Sequence, residues 1–267
     1  TVPRRAGSPS YTRHVTRALD STLARTVISM WAWFSLGVLL LGLVPLVALI
    51  RVATMPFDRG AYWAGYTFRA VARVHGRLNP LWTFTVRGNV PTDPRLPYVV
   101  VSNHESFVDM LAISQIPIEM KWVAKSTFFN IPIVGFLLML SRDIKLVRGA
   151  KGAGSHVYTE AAERLSMRTS VMLFPEGTRS ESGDLGAFKD GAFKIAIEAQ
   201  APILPLVVHG TRNALIKHDW RFGRCDAVVQ ILDPIPTTGM TLEDVDKLRE
   251  QVRDLIAAAK ADLAAAA

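Results

Sequence analysis

Two polar clusters in this 267-residue chain have the residue types and the spacing to do chemistry. The first is Asn103-His104-Glu105-Ser106-Phe107-Val108-Asp109. An imidazole held by a carboxylate is a general base, able to take the proton of a hydroxyl as that hydroxyl attacks an electrophile. His104 and Asp109 are five residues apart, whereas side chains three or four apart share a helix face. The pair meets only if His104 stands ahead of the helix and the chain curls so that Asp109 reaches its ring. Two capping patterns, Ser102-x-x-Glu105 and Ser106-x-x-Asp109, run through the same stretch and offer Asp109 a plain role as a cap residue. The second cluster is Phe174-Pro175-Glu176-Gly177-Thr178-Arg179-Ser180. It joins a glycine able to take positive φ to hydroxyls and a guanidinium fork suited to phosphate. Its bland counterpart is an ordinary turn, with Glu176 in a salt bridge to a nearby base.

Both clusters follow short apolar runs that read as buried strands, 98–101 and 170–174. Further strands are predicted at 81–87, 121–125, 144–148, 202–209 and 225–232, and helices at 110–116, 128–140, 156–167, 188–199 and 241–258. Strands alternating with helices from about residue 81 to 232 predict an α/β domain with a largely parallel central sheet flanked by helices. Ligands of such sheets collect at the carboxyl ends of strands. Lys125 and Arg148 also end predicted strands, so one shared pocket is the economical expectation. His156 has no obvious partner and is expected on the surface.

Composition narrows the partners. The net charge is +8, the sequence pI about 9.9 and the mean hydropathy +0.21. So basic a chain points to anionic lipid, phosphorylated substrates or nucleic acid. No basic recognition helix, zinc pattern or RNA-binding aromatic strand is present, so no nucleic-acid partner is expected. Cys225 is the sole cysteine, which excludes an intrachain disulfide and a cysteine-based metal site.

Residues 26–50 carry no charge. At ~1.5 Å per residue a helix of that length crosses a ~30 Å hydrocarbon core. Pro45 would break or kink it, and arginines flank both sides. Basic flanks favour the cytoplasmic side, so a hydrophobic hairpin or shallow insertion with both ends on the cytoplasmic face of the cell membrane is expected. The stretch 57–75 reads as an amphipathic helix lying on the membrane or on the catalytic domain. The expected organisation is therefore a basic tail with a possible surface helix at 1–25, an N-terminal membrane-associated helical segment at 26–77, and a catalytic domain at 78–267.

On these residues the chain resembles the glycerolipid acyltransferases of the 1-acylglycerol-3-phosphate acyltransferase (PlsC-like) group. The resemblance spans roughly residues 80–235. It rests on HxxxxD at His104 and Asp109, on an Arg after an apolar strand, matched by Arg148, and on the intact FPEGTRS at 174–180. Pro202-Ile203-Leu204-Pro205 supplies the Pro-rich strand, and Lys125, Pro132 and Gly135 match the family's Lys and Pro-x-x-Gly turn. The acidic residue that often precedes the second-block Arg is replaced here by Val147. The resemblance implies a membrane-bound O-acyltransferase that moves an acyl chain from acyl-CoA or acyl-carrier protein onto lysophosphatidic acid, giving phosphatidic acid. His104 would be the base and Asp109 its orienting partner. Lys125, Arg148, Glu176, Gly177, Thr178, Arg179 and Lys189 would hold the glycerol phosphate. No metal or cofactor is implied, and backbone amides of 103–109 are candidate oxyanion donors. The alternatives are an acyltransferase for another lysolipid or an amino-lipid, and a lipid or thioester hydrolase. Against the latter, Ser106 lacks a GxSxG elbow.

Overall fold

The computed structural model describes residues 21–149, 153–180, 182–216 and 219–266. Most of the expected basic tail, residues 1–20, and residues 150–152 ahead of the helix predicted at 156–167 lie outside them. In chain order the elements are α1 (Thr22–Thr54), α2 (Tyr62–Leu78), β1 (Trp82–Arg87), β2 (Val99–Ser102), α3 (Asp109–Ile113), β3 (Met120–Lys125), α4 (Ser126–Phe129), α5 (Val134–Leu140), β4 (Ile144–Leu146), α6 (Ala153–Ser166), β5 (Ser170–Leu173), α7 (Gly191–Glu198), β6 (Ile203–His209), β7 (Cys225–Ile231), a 3-10 turn at Leu242–Asp244, and α8 (Val245–Ala265).

The seven strands form one mixed sheet in the order β1-β7-β6-β2-β5-β3-β4. β2 to β6 all run parallel, while β7 pairs antiparallel with β6 and parallel with β1. The central strands are apolar without alternation because both faces are covered. Val99, Val101, Val171, Ile203 and Val207 face α6, α7 and α8 on one side. Val100, Met172, Leu204 and Val208 face α3 and its neighbours on the other. Five parallel strands therefore present their carboxyl ends along one edge, and every predicted site residue follows one of those ends.

Two differences from the predicted elements bear on the site. β4 stops at Leu146, leaving Arg148 in the turn beyond it rather than at a strand end. The apolar run 128–140 is split into α4 and α5, because Pro132 and a left-handed Ile133 (φ 67°) interrupt it.

Pro45 does not end the N-terminal helix. α1 runs unbroken for 33 residues. Pro45 lies on its exposed side, so the missing amide deprives only the outward carbonyl of Leu41. The chain turns back instead at 55–61, where Ala61 adopts φ 51° and Asp58 accepts a 3.0 Å bond from the Trp63 amide. α1 is long and apolar enough to cross a bilayer and is nearly all exposed. Its first turns dock on the body of the protein. Ser29 accepts from the Phe222 amide at 2.8 Å, and Trp33 stacks on the Phe222 ring.

α2 packs against the sheet and is fastened there by charge. The Arg69 guanidinium donates to the Met120 carbonyl at 3.0 Å and pairs with Asp143. Lys121 donates to Glu119 at 2.7 Å and to the Ala61 carbonyl at 2.8 Å. All four side chains are buried. Gly65 makes the approach possible, since a Cβ there would stand 1.8 Å from Glu119 Oε1. Desolvation pushes Glu119 above the usual carboxylate range and Lys121 below the usual amine range.

Candidate functional site

The stretch after β2 is irregular from 103 to 108, and α3 begins at Asp109. His104 thus stands ahead of the helix, and the chain curls as the five-residue spacing requires. His104 Nδ1 lies 2.8 Å from Asp109 Oδ2. The same oxygen accepts from the amides of Glu105 (2.7 Å) and Ser106 (2.9 Å). An oxygen that already accepts from two amides is the acceptor in its contact with the ring, so Nδ1 is the donor and Nε2 is the ring nitrogen left for a substrate. Asp109 is fully buried, whereas the His104 side chain is 17 % exposed. The cap reading is half of the answer, because Asp109 caps its own loop with the oxygen that holds the ring.

The second cluster grips the first through its backbone. Glu176 Oε1 accepts from the His104 amide at 2.8 Å, and the Ser180 amide donates to the His104 carbonyl at 2.8 Å. The imidazole stacks on Phe174 with ring centroids 3.9 Å apart. Asn103 ties the loop to β6 by a reciprocal pair, its Nδ2 donating to the Val208 carbonyl and its Oδ1 accepting from the Val208 amide, both at 2.8 Å.

The other predicted residues divide into four groups. Gly177 has φ 72°, and a Cβ on it would lie 2.8 Å from Lys189 Nζ, so Lys189 reaches over it. Arg148 donates to the Gly177 carbonyl, which brings Arg148, Gly177 and Lys189 together although Arg148 left its strand early. Thr178 and Arg179 are exposed and line, with Ser180 and Leu185, a cavity of about 280 Å³. Lys125 is exposed at the carboxyl end of β3 on the same edge, with no ion pair to the others among the described residues. Glu176 differs in kind. It is buried, with Oε2 accepting from the Gly186 amide at 2.9 Å and Oε1 from His104, so its carboxylate braces two loops. The backbone amides of His104, Glu105, Ser106, Val108 and Asp109 are all engaged within this framework, which removes them as oxyanion donors. Ser106 is fully buried and accepts from the Val108 amide, so it is no nucleophile.

Residues absent from the sequence reading complete the frame. Thr211 donates its hydroxyl to Asp109 Oδ1. From α8, Lys260 pairs with Glu105 and donates to the Gly183 carbonyl, and Arg253 donates to the Gly186 carbonyl. Thr211 was within reach of the strand-end rule, since it follows β6 by one turn. Lys260 carried no signal, because its partner is 155 residues away in the chain.

Comparison with known proteins bears on this geometry. Residues 83–209 match the family model described as Acyltransferase. A protein of Haemophilus influenzae called 1-acyl-sn-glycerol-3-phosphate acyltransferase is 33% identical over 190 residues, covering 70% of this chain and 78% of that protein. The chain belongs to the acyltransferase family. The human 1-acyl-sn-glycerol-3-phosphate acyltransferase alpha is 36% identical over 170 residues, which cover 63% of this chain and 60% of the human protein's length. The crystal structure of the 1-acyl-sn-glycerophosphate acyltransferase PlsC from Thermotoga maritima shares the fold, with a TM-score of 0.76 over 91% of this chain and 97% of that one, at 24% identity. Both polar clusters of this acyltransferase-family chain fall within the matched stretch 83–209, whereas Thr211 and Lys260 lie beyond it.

Proposed function

We propose that this chain is a membrane-bound 1-acyl-sn-glycerol-3-phosphate 2-O-acyltransferase. The observation that carries the reading is the His104–Asp109 pair, with Nδ1 turned to the carboxylate, Nε2 left without a protein partner among the described residues, and a cation-lined loop beside it. Nε2 takes the proton of the lysophosphatidic acid hydroxyl as its oxygen attacks the thioester carbonyl of acyl-CoA or acyl-carrier protein. Asp109 steadies the imidazolium so formed. The tetrahedral intermediate then collapses, the C–S bond breaks, and the thiolate recovers the proton from Nε2. No acyl-enzyme is needed, since the acceptor is itself the nucleophile. Arg148, Lys189, Arg179, Thr178 and the Gly177 backbone hold the glycerol phosphate, with Lys125 at its margin. Glu176, both of whose oxygens are taken, positions the His104 loop instead of touching phosphate.

α1 anchors the enzyme in the cell membrane, with the catalytic domain on the cytoplasmic face and its arginines toward anionic lipid. The lysolipid then reaches the strand ends without lifting its tail into water. The test is an acyl-transfer assay in detergent or liposomes, comparing lysophosphatidic acid with lysophosphatidylcholine under matched acyl-CoA. Phosphatidic acid formation that vanishes in His104→Ala is expected. A preference for the choline acceptor overturns the substrate assignment, and activity retained in His104→Ala overturns the base.

A further inference from the structure

We propose that Thr211 is a positioning residue for the catalytic pair, acting through Asp109. This inference rests on the reading of His104 as general base. Asp109 accepts four hydrogen bonds, three at Oδ2 and one at Oδ1, and Thr211 supplies the one at Oδ1. Oδ2 lies off the Cβ–Cγ axis, so any turn about that bond carries it away from Nδ1 and from the two amides. The Thr211 hydroxyl holds the opposite oxygen and opposes that turn from the other end of the carboxylate.

The setting makes the hydroxyl matter more. Asp109 and Thr211 are both fully buried, so no water replaces a lost donor. Low polarity here is independently visible at Cys225, whose thiol is pushed up to about 12, chiefly by burial and next by the charge of Asp109. A buried carboxylate in such a place depends on the donors pointed at it.

The local backbone is built to deliver this contact. Gly210 follows β6 with φ 90°, and a Cβ there would lie 2.4 Å from the Asp226 carbonyl oxygen. That left-handed step turns the chain off the sheet, and the Thr211 carbonyl then accepts from the Ala214 amide at 2.9 Å to close the turn. Thr211 therefore arrives over Asp109 at the edge where β2 and β6 lie side by side.

Thr211→Val keeps the volume and removes the donor. Losing a hydrogen bond to a buried charge costs about ten- to a hundredfold in kcat, with KM for the acceptor changed by less than about threefold. With no donor at Oδ1, more of the carboxylate charge falls on the side facing His104. The imidazolium is then favoured, and the acid limb of the pH–kcat profile moves to higher pH. Thr211→Ser restores both kcat and the limb. The assay is run on full-length enzyme beside His104→Ala.

Wild-type kcat and an unmoved acid limb in folded Thr211→Val, with His104→Ala inactive, overturn the inference while leaving the base in place. Thr211→Ser as slow as Thr211→Val also overturns it, because a hydroxyl at this position then does not by itself carry the function. An active His104→Ala removes the base, and this inference with it. If Thr211→Val does not fold, Thr211→Cys against Thr211→Ser decides, because the thiol is a much weaker donor: equal kcat in the two overturns the proposal, and a slower cysteine variant upholds it.

Discussion

His75 and His104 are the same side chain in opposite surroundings. His75 is sealed between α2 and β1, fully buried, with neither ring nitrogen hydrogen-bonded among the described residues. Its ring packs nearly perpendicular to Trp82, at a centroid distance of 5.5 Å. Burial pushes its pKa down to about 4, so it is neutral at physiological pH and acts as a flat apolar filler. His104 has a carboxylate at 2.8 Å on one nitrogen, a stacked Phe174 on its face, and the other nitrogen open to solvent. The Arg69, Asp143, Glu119 and Lys121 assembly extends the contrast. It gathers four ionisable side chains, and all four are buried. Displaced titration at Glu119 and Lys121 therefore goes with a lock between α2 and the sheet, whereas the proposed base is a partnered group with one unpartnered atom.

The largest effect that sharpens this contrast is expected at Asp109. Asp109→Asn should lower kcat by up to about ten-thousandfold, as loss of the orienting carboxylate does in hydrolytic triads, while the protein remains folded by circular dichroism. A loss of folding in place of a loss of rate would move Asp109 to the structural side. At Arg69 the expected balance is reversed. Arg69→Met leaves Asp143 buried without its cation and should cost about 3–5 kcal/mol in chemical denaturation, with kcat of the folded fraction little changed.

The next effect is read by pH. The folded-state value of His75 lies below its unfolded value of 6.5, so its contribution to stability is present above that value and is lost as pH falls toward about 4. Over that window the unfolded chain binds a proton that the folded chain refuses, a loss approaching about 3 kcal/mol. His75→Phe should flatten the dependence of the denaturation midpoint between pH 7 and 4.5, and an unchanged slope would show that His75 is not sealed. The smallest effect belongs to Lys260. Lys260→Met removes the partner of Glu105 and should cost about 1 kcal/mol, lowering the melting temperature by a few degrees and kcat by less than about tenfold. A loss as deep as that of Asp109→Asn would place Lys260 in the chemistry itself.

Much of this was legible in the chain. The unbroken apolar runs at 99–101 and 203–208 announce strands covered on both faces, and the spacing of His104 and Asp109 demands the loop-before-helix geometry that is present. Local pattern has no access to partners chosen by tertiary packing. Nothing in the run 225–231 tells that β7 reverses beside β6. The charge of Glu176 reads equally well as ligand or brace until its two amide donors are seen. Pro45 reads as a breaker because the rule presumes that the lost bond matters, and on an exposed side of a long helix one bond does not decide. Thr211 is a small hydroxyl residue in a turn, like many others, and only the fold brings it to Asp109.

The charge lock beneath α2 has a mechanical consequence. Arg69 and Lys121 join the helix that follows α1 to the strand that ends beside the active site. On the reading of α1 as a membrane anchor, the domain would be mounted on a stiff bracket rather than swung from a tether. The height and tilt of His104 above the lipid would then be properties of the fold. A lysolipid moving in the plane of the membrane would meet the proposed base at a constant stand-off, and the search for substrate would become two-dimensional.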